Sequence, residues 1–289
     1  MEIFITGGTG FVGSHLIQKL SRNHEITVGG LTPEKSILEL PEEVNRKRID
    51  VTKKDSLDFS GYDCVIHLVA LSPLKKPAVP YRKIHVEGTR NVVDQSEQDR
   101  VEKFFHMSAL GADKNARTQY LRTKGEAEEY VKKSDLDWRI MKPSTMFGEG
   151  GEFLDFISKL TTPYLTVLPG KNTRFQPVHI DDAVRCIEES LKDDYSDKIF
   201  EIGGPEKLSL AEIAEMIDNS RGRNLEVLDL PMPLFRLSMS FSERIPISPF
   251  GKEQYYSLKT DNVTEDNDVE DLGMKISEMK TLDEYLELK

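Results

Sequence analysis

A glycine-rich turn near the start of the chain constrains the fold more than any other feature. Residues 1–6 form a short apolar run typical of a β-strand, residues 7–13 contain four glycines, and residues 14–20 place apolar side chains at helical spacing. A strand, a glycine turn and a helix in this order expose backbone N–H groups at a helix N-terminus, where the helix dipole attracts negative charge. We therefore predict a pyrophosphate site here; the alternative is a purely structural turn.

The spacing of these glycines is typical of a dinucleotide site. From Gly8 the pattern is G-x-G-x-x-G, and from Gly7 it is G-x-x-G-x-x-G. One glycine is needed for the tight turn, one for close approach of the phosphates and one for packing of the helix on the strand. The string is weak evidence alone, but its place between a strand and an amphipathic helix is the context that the motif requires.

Composition and charge exclude several classes of function. The 289 residues, 38% hydrophobic and 31% charged, suffice for one large α/β unit with a smaller lobe. The net charge of −11 argues against nucleic acid or an anionic membrane as the main partner. We expect no transmembrane segment, since no apolar stretch approaches the roughly 18–20 residues required, and no signal peptide. Cys64 and Cys186 lack metal-ligand spacing and are expected to be buried thiols of a cytoplasmic protein.

Strands alternate with helices along the first half of the chain. Long helices are predicted over residues 81–98 and 118–133. This alternation predicts an α/β fold with a doubly wound parallel sheet, in which ligands bind outside the carboxyl ends of the strands. The predicted strands are 1–6, 25–28, 46–51, 63–70, 103–107 and 137–141.

A smaller lobe is predicted after the rhythm changes at Lys142, where prolines and glycines become frequent. We assign residues 1–170 to the nucleotide-binding domain and 171–289 to a lobe for substrate or partner, part of which returns to the first domain. Residues 231–250 are interpreted either as a substrate-facing flap or as a loose hydrophobic cover. The acidic stretch 261–271 is predicted to be a solvated loop.

The end of the second strand bears on which dinucleotide is bound. An Asp or Glu about 20 residues beyond the glycines usually holds a free ribose 2′-OH. Here that stretch offers Gly30 and Leu31, with no acid before Glu34. A 2′-phosphate would meet no repelling carboxylate and Lys35 could be its counter-ion, so NADP is favoured over NAD. Alternatively, residues 33–35 merely start a surface helix.

Tyr120 and Lys124 are the candidate acid–base pair. Their spacing places them on one face of a helix. A free tyrosine titrates near ~10, and a nearby Lys⁺ together with an oxidised nicotinamide would lower that pKa. Tyr120 would then exchange a proton with a substrate hydroxyl, Lys124 would hold the nicotinamide ribose, and Ser108 would hydrogen-bond the reacting oxygen. The alternative is a Tyr packed on the core and a Lys in solvent.

The histidines do not suggest a metal centre. His67, His85, His106 and His179 lie on separate predicted elements without paired carboxylates, so we predict no metal site.

Taken together, these motifs resemble those of the extended short-chain dehydrogenase/reductases, over residues 1 to about 220. Residues 108–113 and 120–124 are similar to the atypical branch that contains the NAD(P)-binding accessory subunit of respiratory complex I and many proteins called nucleoside-diphosphate-sugar epimerases. The remaining segments that carry the resemblance are 50–51, 67–70, 88–91, 142–144, 177–182 and 203–205.

The resemblance implies a Rossmann domain that binds NAD(P) and acts as an oxidoreductase or nucleotide-sugar epimerase on a small molecule. The alternative is a catalytically silent structural or redox-sensing subunit, because Leu110 and His85 replace a hydroxyl and an asparagine common in active epimerases. A homodimer or a protein-complex partner is also expected. Asp50 is expected to contact adenine, or simply to cap the turn at Thr52. The expected cofactor contacts are Gly7, Gly10, Phe11, Val12, Gly13, Leu31, Lys35, Asp50, Val51, Leu68, Val69, Ala70, Tyr120, Lys124, Pro143 and Ser144.

Overall fold

A parallel sheet lies at the centre of the structure, a computed structural model that describes residues 1–75, 77–162, 164–231, 252–257 and 259–288. The predicted flap lies outside the described residues, except for Pro231. The described strands are β1 (Glu2–Thr6), β2 (Glu25–Gly30), β3 (Asn45–Arg48), β4 (Cys64–His67), β5 (Lys103–Met107), β6 (Asp137–Pro143), β7 (Met146–Phe147), β8 (Leu165–Pro169), β9 (Arg174–Phe175), β10 (Val178–His179), β11 (Lys198–Ile202), β12 (Leu208–Ser209) and β13 (Glu226–Leu230).

The order of the seven strands in the central sheet is β11-β6-β5-β4-β1-β2-β3, and all neighbours are parallel. The chain changes its direction of winding between β1 and β4, which makes this the switch point where ligands bind in such folds. The predicted doubly wound α/β fold is confirmed. The other described strands form three two-stranded sheets, β10-β7, β12-β9 and β13-β8.

Helices cover both faces of the central sheet. Ile3 and Ile5 of β1 pack with α1 and α5 on one face, whereas Phe4 packs with α2 and α3 on the other. This two-sided burial explains the apolar runs of the strands. None of the described helices is long and apolar enough to cross a membrane. The described helices are α1 (Phe11–Leu20), α2 (Thr89–Gln98), α3 (Gln119–Val131), α4 (Phe153–Leu160), α5 (Ile180–Ser190), α6 (Leu210–Asn219), α7 (Lys252–Ser257) and α8 (Leu282–Glu287).

Two strands end earlier than predicted, and one helix is irregular. The chain leaves the sheet at Arg48 and His67, so Asp50 and residues 68–70 lie in the loops beyond. The helix predicted over 81–98 contains a π-helical stretch, Lys83–Gly88, before α2. Such widened turns frequently occur at functional sites.

A second hydrophobic core lies between α4, α6, α8 and the β8–β13 pair. It includes residues on both sides of position 170, and the division into 1–170 and 171–289 stays a prediction. β11 lies in the central sheet, and α5 packs against its α1 side. The predicted acidic loop 261–271 holds Asn262, whose side-chain oxygen accepts from the Ser144 hydroxyl at 2.8 Å.

Candidate functional site

The glycine turn joins β1 to α1, and its glycines have different surroundings. Gly7 has a φ of +75°, in the left-handed region that favours glycine. A Cβ on Gly13 would lie 2.4 Å from the Cα of Gly8, so this glycine allows α1 to pack on the turn. A Cβ on Gly10 would have only the Gly7 carbonyl oxygen within 4 Å, at 3.3 Å. Apart from this oxygen, the space that a Gly10 side chain would enter is therefore open.

The N-terminus of α1 is not capped by a side chain. Gly10 is the N-cap residue, and the first turn contains no acidic residue. The first N–H groups of a helix have no intrahelical acceptor and carry a positive partial charge. A pyrophosphate fits these features, and the backbone of residues 11–13 would hold it.

The end of β4 lies directly against the glycine turn. Leu68 donates its N–H to the Thr6 carbonyl at 3.0 Å, and a Cβ on Gly7 would lie 3.0 Å from the Val69 nitrogen. The structure thus brings Leu68 and Val69 next to the predicted phosphate site, at the switch point of the sheet.

Asp50 caps a turn beyond β3. Its Oδ1 accepts from the Thr52 N–H at 3.0 Å and from the Thr52 hydroxyl at 2.7 Å. The hydroxyl bond is the main reason why the pKa of Asp50 is lowered. The carbonyl of Val51 accepts from the Asn91 amide at 2.9 Å, which ties this loop to α2. The capping alternative is therefore realised, and adenine contacts by these residues stay a prediction.

The loop after β2 leaves both residues of the predicted 2′-phosphate site in solvent. Leu31 is 62% exposed, and Lys35 is exposed in a turn rather than in the surface helix considered above. Ile37 donates its N–H to the Thr9 carbonyl at 3.1 Å, so the loop packs on the glycine turn. Exposed Arg48 is the register partner of Gly30, a second cation that the sequence did not predict at this end of β2.

Lys124 lies on α3 as predicted, but its ammonium group forms a hydrogen bond within the protein. The side chain is buried and donates to the carbonyl of Met107 at the end of β5. Burial lowers the pKa of Lys124 to about 8, and the charge of Glu128 opposes this shift. A solvent-exposed lysine, the alternative considered above, is therefore wrong.

Tyr120 is half-buried among aromatic rings. Its ring meets those of His85 and Tyr81 edge-on, with centroids 5.5 and 5.9 Å apart. Burial, and to a smaller extent Tyr81, raises the pKa of Tyr120 above its ordinary value. Lys124, which was expected to lower this pKa, is not among the causes of the shift, and its ammonium group donates to a backbone carbonyl.

Ser108 lies at the end of β5, beside the strand end of β6. It is 4% exposed, and its hydroxyl donates to the carboxylate of Glu128 on α3. Leu110 donates its N–H to the Pro143 carbonyl at 2.9 Å, so the loop after Ser108 is joined to the end of β6. Ser144 follows Pro143 and bonds to the C-terminal part of the chain. The structure brings these predicted residues together, while their roles stay predictions.

A family profile described as NAD(P)H-binding matches residues 7–158, more than half of the chain. The chain belongs to this NAD(P)H-binding family. The matched region includes the glycine turn, Ser108, Tyr120 and Lys124, but not the smaller lobe beyond residue 158.

Two curated relatives of this NAD(P)H-binding chain are mitochondrial subunits. The NADH-ubiquinone oxidoreductase 40 kDa subunit of Neurospora crassa is 24% identical over 250 residues, which cover 80% of this chain and 63% of that protein. The NADH dehydrogenase (ubiquinone) 1 alpha subcomplex subunit 9 of Arabidopsis thaliana is 27% identical over 284 residues, or 91% of this chain and 71% of that protein. The chain thus spans less than two thirds of the Neurospora subunit. The predicted resemblance to this branch is confirmed.

Solved structures of epimerases share the fold. A UDP-glucose 4-epimerase from Thermotoga maritima has a TM-score of 0.76 and 18% identity, with 100% of this chain and 97% of that chain covered. A nucleoside-diphosphate-sugar epimerase from Staphylococcus aureus has a TM-score of 0.76 and 17% identity, with coverages of 99% and 100%. At these identities the likeness shows the fold alone. The chain is an NAD(P)-binding protein with an epimerase-like Rossmann fold.

Two buried histidines lie in the central strands of this NAD(P)H-binding domain. The rings of His67 and His106 stack at 5.6 Å, on neighbouring strands β4 and β5. His67 hydrogen-bonds the hydroxyls of Thr6 and Thr89 at 2.7 and 3.0 Å. Burial lowers the pKa of His67 to about 3, so the ring is neutral near pH 7. The two histidines lie 39 residues apart in the sequence, and only the pairing of β4 with β5 brings their rings together.

A third buried histidine connects the loop after β4 to α3. Nε2 of His85 accepts from the Leu71 N–H at 3.0 Å, and Nδ1 lies 2.9 Å from the Thr123 hydroxyl. A neutral ring with its proton on Nδ1 satisfies both bonds, an assignment that follows from the hydrogen-bond network. Burial lowers the pKa of His85 to about 2. These two bonds join the loop after β4 to α3 beside the Tyr120 ring.

Proposed function

We propose that the protein binds a nicotinamide dinucleotide across the switch point and uses it to oxidise or reduce a hydroxyl-bearing small molecule. The observation that carries this proposal is the uncapped N-terminus of α1, which follows a glycine turn that lies against the residues after β4. The bound dinucleotide would supply hydride transfer at its nicotinamide ring. The first turn of α1 would hold the pyrophosphate, and the ends of β4, β5 and β6 would line the path toward Tyr120.

The acid–base group in this proposal is Tyr120. Because burial raises its pKa, the phenol keeps its proton near neutral pH. A protonated phenol suits donation of a proton to a carbonyl oxygen, the direction of a reduction. In the opposite direction the phenol must lose its proton, which a positive charge close to the ring would favour.

Titration of the purified protein with NADPH and NADH tests the proposal, with binding followed by fluorescence of the reduced nicotinamide. We propose NADP as the preferred cofactor, and two observations support this preference. No carboxylate ends β2, and Lys35 and Arg48 are exposed cations near that end. The expected result is tighter binding of NADPH; equal affinities reject the preference, and no binding of either rejects the function.

The second candidate is a dinucleotide-binding protein that catalyses no reaction. One observation favours it: the Ser108 hydroxyl and the Lys124 ammonium group donate to internal acceptors, Glu128 and Met107, rather than to a substrate position. Stoichiometric oxidation of bound NADPH by an added carbonyl compound would argue for the first candidate. Cofactor that stays unchanged across a panel of sugars, nucleotide sugars and ketones would argue for the second.

Substrate, partners and location are part of the same proposal. The fold shared with sugar epimerases supports a nucleotide sugar as substrate. The relatives that are named as subunits of an NADH dehydrogenase or NADH-ubiquinone oxidoreductase support a protein complex as the alternative partner, and a homodimer stays a prediction. A cytoplasmic location is supported by the free thiols of Cys64 and Cys186, both buried. Cell fractionation tests it against the mitochondrial location in the relatives' names.

A further inference from the structure

A carboxylate from the C-terminal part of the chain caps the helix that carries Tyr120. Glu253 lies on α7, and its two carboxylate oxygens accept from the backbone N–H groups of Gln119 and Tyr120 at 3.0 and 3.3 Å. The Thr118 side chain accepts from the next N–H, that of Leu121, at 3.2 Å. The first three amides of α3 therefore all have acceptors, and two of these bonds come from a residue 133 positions beyond Tyr120.

In two other helices of the chain, a glutamate of the helix itself takes part in capping the N-terminus. α6 and α8 each begin with a capping box, in which a glutamate three residues after the N-cap completes the bonds: Glu212 for α6 and Glu284 for α8. In α3 the corresponding position is Leu121, which has no side-chain acceptor. The local sequence thus leaves the start of α3 incomplete, and Glu253 supplies the missing carboxylate where the helix dipole favours a negative charge.

The contact between Glu253 and the start of α3 lies beside the aromatic cluster that encloses Tyr120. Tyr120 meets the rings of Tyr81 and His85, and the charge of Glu253 acts on Tyr81. Burial, with a smaller contribution from Glu253, raises the pKa of Tyr81 to about 12. A shift of the first turn of α3 would therefore displace the phenol of Tyr120 relative to the rings that enclose it.

We propose that Glu253 is a positioning residue of the candidate active site, which fixes the first turn of α3 and so orients Tyr120. The inference rests on the proposed function, because Tyr120 matters only if it faces a bound dinucleotide. The candidate active site then depends on two distant parts of the chain. The strand ends provide the binding site for the dinucleotide, and α7 holds Tyr120 in place. A ligand or partner that displaces α7 would loosen Tyr120.

Amide hydrogen exchange, measured by NMR on the full chain, tests the cap directly. Glu253→Ala should make the amides of Gln119 and Tyr120 exchange about tenfold faster. Glu253→Gln should give an intermediate rate, because its amide oxygen still accepts one bond without charge. Glu287→Ala, on the exposed surface of α8, is the matched control and should leave both rates unchanged. Unchanged rates in Glu253→Ala would overturn the inference.

Binding of NADPH and of ADP separates positioning from a general loss of folding. ADP lacks the nicotinamide end, so only NADPH should depend on Tyr120. Glu253→Ala should weaken NADPH about three- to tenfold and leave ADP unchanged, with partial recovery in Glu253→Gln. Equal weakening of both ligands, or of neither, would contradict a positioning role. If the wild type binds neither ligand, the proposed function fails, whereas the exchange rates still decide whether Glu253 caps α3.

Discussion

The hydroxyl of Ser108 donates to the carboxylate of Glu128, and both side chains are buried, with 4% and 5% of their surfaces exposed. Glu128 stands one helical turn after Lys124 on α3. Because a hydroxyl has a single hydrogen to donate, Ser108 cannot donate to a substrate oxygen while this bond exists. This pair therefore bears directly on whether the protein catalyses a reaction or only binds its dinucleotide.

Ser108→Ala should lower the free energy of unfolding by about 1–3 kcal/mol, because Glu128 loses a hydrogen bond in the protein interior. Urea denaturation at pH 7 measures the change. Ser21→Ala, at the partly exposed end of α1, is the control and should change stability by less than about 0.5 kcal/mol. A loss in Ser108→Ala no larger than in the control would mean that the Ser108–Glu128 bond contributes nothing to stability.

Two glycine substitutions should separate binding from folding. Gly10→Ala adds a methyl group near only the Gly7 carbonyl, so the fold should persist while dinucleotide affinity falls at least about tenfold, since the phosphates must approach the backbone here. Gly13→Ala would place its methyl 2.4 Å from the Gly8 Cα and should destabilise the fold by about 1–3 kcal/mol.

Calorimetric titration with NADPH and thermal unfolding of both glycine variants provide the measurements. Unchanged affinity in Gly10→Ala would place the pyrophosphate elsewhere, and a fully stable Gly13→Ala would show that the turn can open without cost.

Stability should fall at high pH through Tyr120. Its folded pKa lies above the ordinary value near ~10, so above that pH the native state keeps a proton that the unfolded state releases. The contribution is fully present below ~10 and is lost as the pH rises further. Tyr120→Phe should make the loss between pH 9.5 and 11, followed by urea midpoints, about 0.5–1.5 kcal/mol smaller than in the wild type. Identical slopes in both proteins would show that Tyr120 titrates normally.

Stability should also fall in acid, because His67 and His85 are neutral in the native state. Their pKa values are lowered to about 3 and about 2, while an unfolded histidine titrates near ~6.5. Below ~6.5 the unfolded state binds more protons, so each histidine costs up to about 1.4 kcal/mol per pH unit until its folded pKa is reached. His85→Gln should reduce this slope between pH 6 and 4. His15→Gln, outside the buried group, is the control, and equal slopes in the two variants would contradict the assignment.

The predicted dinucleotide site could be identified from the sequence because its residues follow one another closely in the chain. Strand, glycine turn and helix follow one another within twenty residues, and their backbone geometry depends on the glycines themselves. The parallel order of the strands then brings residues 68–70 to the same edge, as the alternation of strands and helices requires. The fold and the placement of Tyr120 on α3 followed from the same periodic signals, whereas the family followed from the resemblance of the motifs.

Only the tertiary structure decided which partners the polar groups take. Ser108 bonds Glu128, Lys124 bonds the Met107 carbonyl, and Glu253 caps α3 from the far end of the chain. No local pattern encodes such pairs, because a buried donor takes whichever acceptor the packing brings within reach. The sequence by itself therefore determined the strand, glycine turn and helix of the predicted dinucleotide site, whereas the packing of distant segments decided how the groups around Tyr120 are held.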